Sequence, residues 1–130
     1  MPFTRITLRT GKSPAFLQAV ADSLDRALVE SFEVPETDRF VAIQQLQPEE
    51  LIFDRHYRGG PRSDDFMIFH ITTGRTRTTE TRARFFQHLV ERLAEAPGVR
   101  PEDVMIILAN STFEDWSFAF GVQGATPVDQ

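Results

Sequence analysis

Val99-Arg100-Pro101-Glu102-Asp103-Val104-Met105-Ile106-Ile107-Leu108 is a turn running into a fully apolar strand, and a turn of similar make-up, Val34-Pro35-Glu36-Thr37-Asp38, leads into Phe40 to Leu46. Val34 corresponds to Val99, Asp38 to Asp103 and, upstream, Gly11 to Gly74, at an offset of about 63 to 65 residues. A repeat that holds at the loops as well as in the hydrophobic period marks a duplicated supersecondary unit.

The first unit reads strand, helix, strand. Phe3 to Arg9 alternates as a half-buried strand, Gly11 breaks it, and Ser13-Pro14 supplies an N-cap followed by proline at the first helical position. The helix runs to about Phe32, with Phe16, Leu17, Val20, Leu24, Leu28 and Phe32 on one stripe. In the second unit a strand begins near Phe66 and breaks at Gly74, and a helix capped by Thr78 or Thr79 runs to about Ala96. Phe85, Leu89, Val90 and Leu93 form its expected buried stripe, and Pro97-Gly98 ends it.

The expected fold is therefore α/β (α+β): a single domain over 1–130, built of two pseudo-symmetric βαβ halves, about 2–50 and 65–110, and a C-terminal tail. Parallel pairs joined by right-handed crossovers place both helices on one face of a four-stranded sheet. The bare second face predicts an oligomer, most simply a ring. Between the halves, Arg58-Gly59-Gly60-Pro61-Arg62 reads as a mobile surface loop or a subunit contact, and the tail after Gly121 as a segment that wraps a neighbour or frays.

Composition narrows the function. Twelve Phe against one Trp and one Tyr suit dry packing between a sheet and helices, and the absence of Cys removes disulfides, thiolate nucleophiles and cysteine metal sites. A net charge of −5 opposes phosphate-driven nucleic-acid binding. No apolar run reaches a membrane span and no secretory leader is evident, so a cytoplasmic protein with no membrane partner is expected. His56, His70 and His88 lack ligand spacing, and structural roles are expected for His70 and His88.

Pro2 is the first candidate for chemistry. Loss of Met1 would leave it as a free secondary amine at the head of a strand, able to act as acid, base or iminium-forming nucleophile. Proline after Met is also common with no such role. Arg75 and Arg77, between the third strand and the following helix, suit one carboxylate, with two solvated loop arginines as the plain alternative. Asp38 can orient a water or meet an amine, or simply bond its own turn, as the equivalent Asp103 suggests. Trp116 and Phe118 read as core cover or as a pocket wall.

Together these pieces resemble the tautomerase superfamily, and within it the malonate semialdehyde decarboxylase-like members. The resemblance is carried by Met1-Pro2, Phe32 with Val34-Pro35, Asp38-Arg39-Phe40, Arg75-Thr76-Arg77, Pro101-Glu102-Asp103-Val104, and Asn110-Ser111 with Asp115-Trp116-Ser117-Phe118. It implies a catalytic Pro2 amine assisted by Asp38, a carboxylate held by Arg75 and Arg77, a hydrophobic wall at Trp116 and Phe118, and a homotrimer. Thr76 departs from the proline that such a decarboxylase carries between its arginines. The activity implied is decarboxylation of a small 3-oxo acid without cofactor or metal. The alternatives are tautomerisation of a 2-hydroxyalkenoate or arylpyruvate enol, hydration or dehalogenation of a 3-haloacrylate with Asp38 or Glu114 activating water, and a non-catalytic oligomeric binding protein.

Overall fold

The computed structural model describes residues 2–124; Met1 and the tail beyond Gly124 lie outside the described residues. Four strands and two long helices follow in the expected order: β1 (Phe3–Arg9), α1 (Pro14–Phe32), β2 (Phe40–Leu46), β3 (Met67–Thr73), α2 (Thr79–Glu95) and β4 (Val104–Asn110). Local chemistry sets each helix boundary. Ser13 Oγ accepts the Phe16 amide at 3.1 Å with Pro14 at the first turn, and Glu33 closes α1 in the left-handed region at φ 56°. At α2 the capping residue is Thr78, whose hydroxyl accepts the Thr81 amide at 3.1 Å. Gly98, at φ 105°, turns the chain so that its own amide and that of Val99 both reach the Leu93 carbonyl.

The sheet order is β2-β1-β3-β4. Each βαβ unit contributes a parallel pair, β1 with β2 and β3 with β4, while β1 and β3 meet antiparallel in the centre with Phe3 opposite Thr72 and Leu8 opposite Met67. Period-two alternation sends Thr4, Ile6 and Leu8 of β1, and Met67, Phe69 and Ile71 of β3, into one buried face beneath both helices. Phe32 and Phe85 close the helix pair with ring centroids 4.6 Å apart. Polar groups between the helices are matched: Ser31 Oγ lies 2.8 Å from His88 Nδ1, and Arg92 grips Glu30 through two nitrogens at 2.8 and 2.7 Å.

Three details differ from the sequence reading. Val90 is half-buried, because the stripe at Phe85, Leu89 and Leu93 already faces the core and Val90 sits one step round the helix. His70 is exposed on the open face of the sheet, opposite Arg5 and Ile107, and packs no core. The 58–62 loop is tied down: Arg62 N donates to the Arg55 carbonyl at 2.9 Å, and Arg55 Nη1 returns a bond to the Arg62 carbonyl at 3.1 Å. Gly60, at φ 92°, is required there, since a Cβ would lie 2.1 Å from the Arg55 carbonyl oxygen.

The open face carries exposed apolar residues on its two edge strands, Phe40 at 50% on β2 and Met105 at 42% and Ile107 at 39% on β4, with exposed Arg5 and His70 between them, so it is more polar than the bare apolar face expected from sequence. Between the halves, Asp103 is 1% exposed and its carboxylate accepts both the Ser63 amide at 2.7 Å and the Ser63 hydroxyl at 2.6 Å. Asp103→Ala would strip two part-buried donors of their buried acceptor, and is expected to cost about 1–3 kcal/mol in urea unfolding. A midpoint and slope equal to those of the parent would contradict this role.

Candidate active site

The strand registers decide which loops meet. Because β1 and β2 run together, the amino ends of both lie side by side, with Phe3 opposite Phe40. The antiparallel β1–β3 pairing sets those amino ends against the carboxyl end of β3, and β4 ends beside it with Asn110 opposite Thr73. One end of the sheet therefore gathers Pro2, Asp38, the Arg75–Arg77 loop and the Ser111–Phe118 segment, each within a few residues of a registered strand end.

Pro2 is buried at the head of β1. Asp38 is half-buried, and its amide bonds the Pro35 carbonyl at 3.0 Å. Burial pushes the Asp38 carboxyl above the usual carboxylate range. The equivalent residue of the second half, Asp103, is hydrogen-bonded to Ser63.

Arg77 is held from three sides. Its guanidinium lies 4.6 Å from the Phe32 ring centroid, Nη1 donates to the Arg75 carbonyl at 3.0 Å, and Nη2 donates to the Phe32 carbonyl at 3.3 Å. Burial, and then the charge of Arg75, hold it below the ordinary arginine value, yet it stays charged at neutral pH. Its Nε is buried without a hydrogen-bond partner. Among the described residues no carboxylate ion pair holds Arg75 or Arg77; Arg5, Arg26, Arg58, Arg62, Arg82 and Arg84 share that, but Arg77 differs from them in being held on the Phe32 ring with its Nε buried. A half-buried cation fixed by its own backbone and lacking a counter-ion favours an incoming anion.

Trp116 and Phe118 stack with centroids 5.6 Å apart and, with Phe3, Phe40 and Ser117, line a cleft of about 220 Å³ at this end of the sheet. Sequence reasoning missed Phe3 and Phe40 as cleft walls. The signal was an aromatic at the first position of two adjacent parallel strands, on the face opposite the core. Glu114, offered for water activation, is exposed in the short turn Phe113–Asp115. A larger cavity, about 370 Å³, opens elsewhere, between the 51–65 loop and the start of β4. Its arginines are occupied internally: Arg58 donates to the Tyr57 hydroxyl and Arg62 to the Asp54 carbonyl. No cluster of His, Asp or Glu suited to a metal occurs among the described residues.

Known proteins share this fold. The family described as tautomerase enzyme matches residues 38–119, and the chain belongs to it. A probable tautomerase of Bacillus subtilis (strain 168), YusQ, is 37% identical over 93% of this chain and 95% of its own length. Among solved structures, a malonate semialdehyde decarboxylase inhibited by 3-bromopropiolate is 36% identical, with a TM-score of 0.85 over 92% of this chain and 91% of its own. A second malonate semialdehyde decarboxylase, described with decarboxylase and hydratase activities, superposes at TM-score 0.86 with 28% identity, covering 92% of each chain. A fused 4-OT solved as a symmetric trimer shares the fold at TM-score 0.76 and 19% identity, over 94% of this chain and 95% of its own.

The raised Asp38 pKa has a consequence for stability. Its folded form favours the proton, so the contribution is present below the unfolded value and lost as pH rises through the folded one. Asp38→Asn is therefore expected to be more stable than the parent at pH 7, with the advantage closing as pH falls below the ordinary aspartate value of about 3.9. Denaturant midpoints across that range test it, and a parent more stable at neutral pH would contradict it.

Proposed function

We propose that the chain, freed of Met1, is a cofactor-independent decarboxylase of a small 3-oxo acid such as malonate semialdehyde. The amine of Pro2 is its catalytic group. The observation that carries this reading is the convergence, at one sheet end, of buried Pro2, half-buried Asp38 and an arginine pair without a carboxylate partner. The two decarboxylases at 36% and 28% identity support it.

Loss of carbon dioxide breaks the bond between the carboxyl carbon and C2, and the electron pair must pass into the adjacent carbonyl. Pro2 can provide the sink in two ways. As the protonated amine it donates a hydrogen bond to the carbonyl oxygen, and an enol forms. As the neutral amine it condenses with loss of water to an iminium ion, the electrons yield an enamine, and protonation at C2 and hydrolysis return the amine. Asp38 tunes the protonation of that amine. Arg75 and Arg77 orient the carboxylate so that the breaking bond aligns with the carbonyl π-system. Trp116 and Phe118 exclude water, which favours passage from carboxylate to neutral carbon dioxide.

The second reading, ketonisation of an enol acid with Pro2 as base, draws on the 37% identical probable tautomerase. In both readings the working unit is a homotrimer, supported by the exposed apolar residues Phe40, Met105 and Ile107 on the open sheet face and by the trimeric neighbour of the same fold. A cytoplasmic setting fits the cysteine-free composition.

Proton NMR of Met1-free protein with malonate semialdehyde tests the proposal. Acetaldehyde and bicarbonate are expected from the parent, with the rate lowered about 10²-fold or more in Pro2→Ala. Arg75→Gln and Arg77→Gln are each expected to raise KM and lower kcat. Absence of acetaldehyde, together with Pro2-dependent ketonisation of an enol acid, would replace the decarboxylase by the tautomerase.

A further inference from the structure

Between the arginine pair and the aromatic wall runs a chain of hydrogen bonds in which donors and acceptors match. Trp116 Nε1 donates to Ser111 Oγ at 2.6 Å, and Ser111 Oγ donates to the Thr73 carbonyl at 2.6 Å, which also takes the Ser111 amide at 2.9 Å. Both lone pairs of that carbonyl are then in use. Thr73 Oγ1 has one proton and three acceptors in reach; the nearest is the Arg75 carbonyl at 3.1 Å, ahead of Asn110 Oδ1 at 3.4 Å and the Ala109 carbonyl at 3.5 Å. The same Arg75 carbonyl receives Arg77 Nη1 at 3.0 Å.

Thr73 is the hub of this chain. At 3% exposure Thr73 itself is shielded from water, so the bonds made by its own hydroxyl and carbonyl are worth more than at the surface. Through its carbonyl it fixes Ser111, and through Ser111 the indole. Its hydroxyl fixes the Arg75 carbonyl, the anchor that orients the Arg77 guanidinium. Packing against solvent would need none of this. Trp116 is half-buried and stacked on Phe118, which would hold it loosely, and the indole N–H removes the remaining freedom.

We propose that Thr73 and Ser111 are positioning residues that couple the Trp116 wall to the Arg75–Arg77 pair, so that a carboxylate held by the arginines is registered at the indole. This rests on the anion-site reading of Arg75 and Arg77. The two residues touch neither substrate nor the reacting amine. Their effect on turnover passes through the geometry of the arginines on one side and of the wall on the other.

Trp116 is the only tryptophan in the chain, so its fluorescence reports on the wall alone. Malonate serves as an unreactive dicarboxylate probe, with calorimetry reading its affinity and fluorescence reading the wall. In the parent, malonate is expected to bind and to change Trp116 emission along the same saturation curve. Thr73→Val, which deletes the hydroxyl and keeps the carbonyl, is expected to weaken malonate about 3- to 10-fold, the worth of one internal hydrogen bond. Should that variant fail to fold, Thr73→Ala carries the same expectation, and Thr73→Ser should restore affinity. Ser111→Ala is expected to alter the resting emission and to remove most of its response to malonate, with Ser111→Thr restoring both. The double variant should show non-additive affinity loss, as members of one unit do.

A parent that binds malonate while Thr73→Val and Thr73→Ala stay within about twofold of it, or strictly additive losses, would overturn the coupling and leave the anion site standing. An unchanged Trp116 response in Ser111→Ala would do the same. A parent that does not bind malonate at all would overturn the anion-site reading itself, and the coupling with it.

Discussion

The central antiparallel pairing of β1 with β3 is the constraint on which the molecule depends. Each βαβ half alone would present the amino end of one strand next to the amino end of its parallel partner, and nothing else. Setting Phe3 opposite Thr72 turns the second half around, so the loop that leaves β3 arrives where β1 begins. Pro2, Asp38, Arg75 and Arg77 thereby share one end of a small sheet.

The repeat gives two such ends, and their charged groups are engaged differently. Lys12 precedes the cap of α1 as Arg77 precedes the cap of α2, yet Lys12 is neutralised by Asp65 at 2.5 Å while Arg77 has no carboxylate among the described residues. Asp103 accepts two hydrogen bonds from Ser63, whereas its counterpart Asp38 lies half-buried at the other end of the sheet. At the far end, residues 63–65 of the chain occupy the groups that a ligand would otherwise engage. The near end keeps a half-buried cation, Arg77, and an aromatic cleft. Fold symmetry and functional asymmetry thus come from the same repeat.

Much of this was legible in the sequence. The offset between Val34 and Val99 and between Asp38 and Asp103 gave the two units, and the periodicity placed both helices to within a residue or two, because capping and proline chemistry act locally. The candidate residues also announced themselves by type, since an arginine pair after a strand and a proline at position 2 are short-range patterns. What stayed hidden depends on tertiary register. The seat of Arg77 on Phe32 joins residues 45 apart, and the Thr73–Ser111 contact joins residues 38 apart. Val90 and His70 were misjudged for the same reason: a stripe or an alternation tells which side a residue faces, and the neighbouring elements decide how far that side is covered.

The central claim is that a free Pro2 amine sits in an anion-attracting pocket. Reaction of Met1-free protein with 3-bromopropiolate, which inhibits the 36% identical decarboxylase, followed by mass mapping of the peptides, tests this most directly. The account predicts one adduct per chain, on the Pro2 nitrogen, formed more slowly when Arg77 is replaced by Gln. An unmodified amino terminus, or an adduct on the single lysine, Lys12, would contradict it.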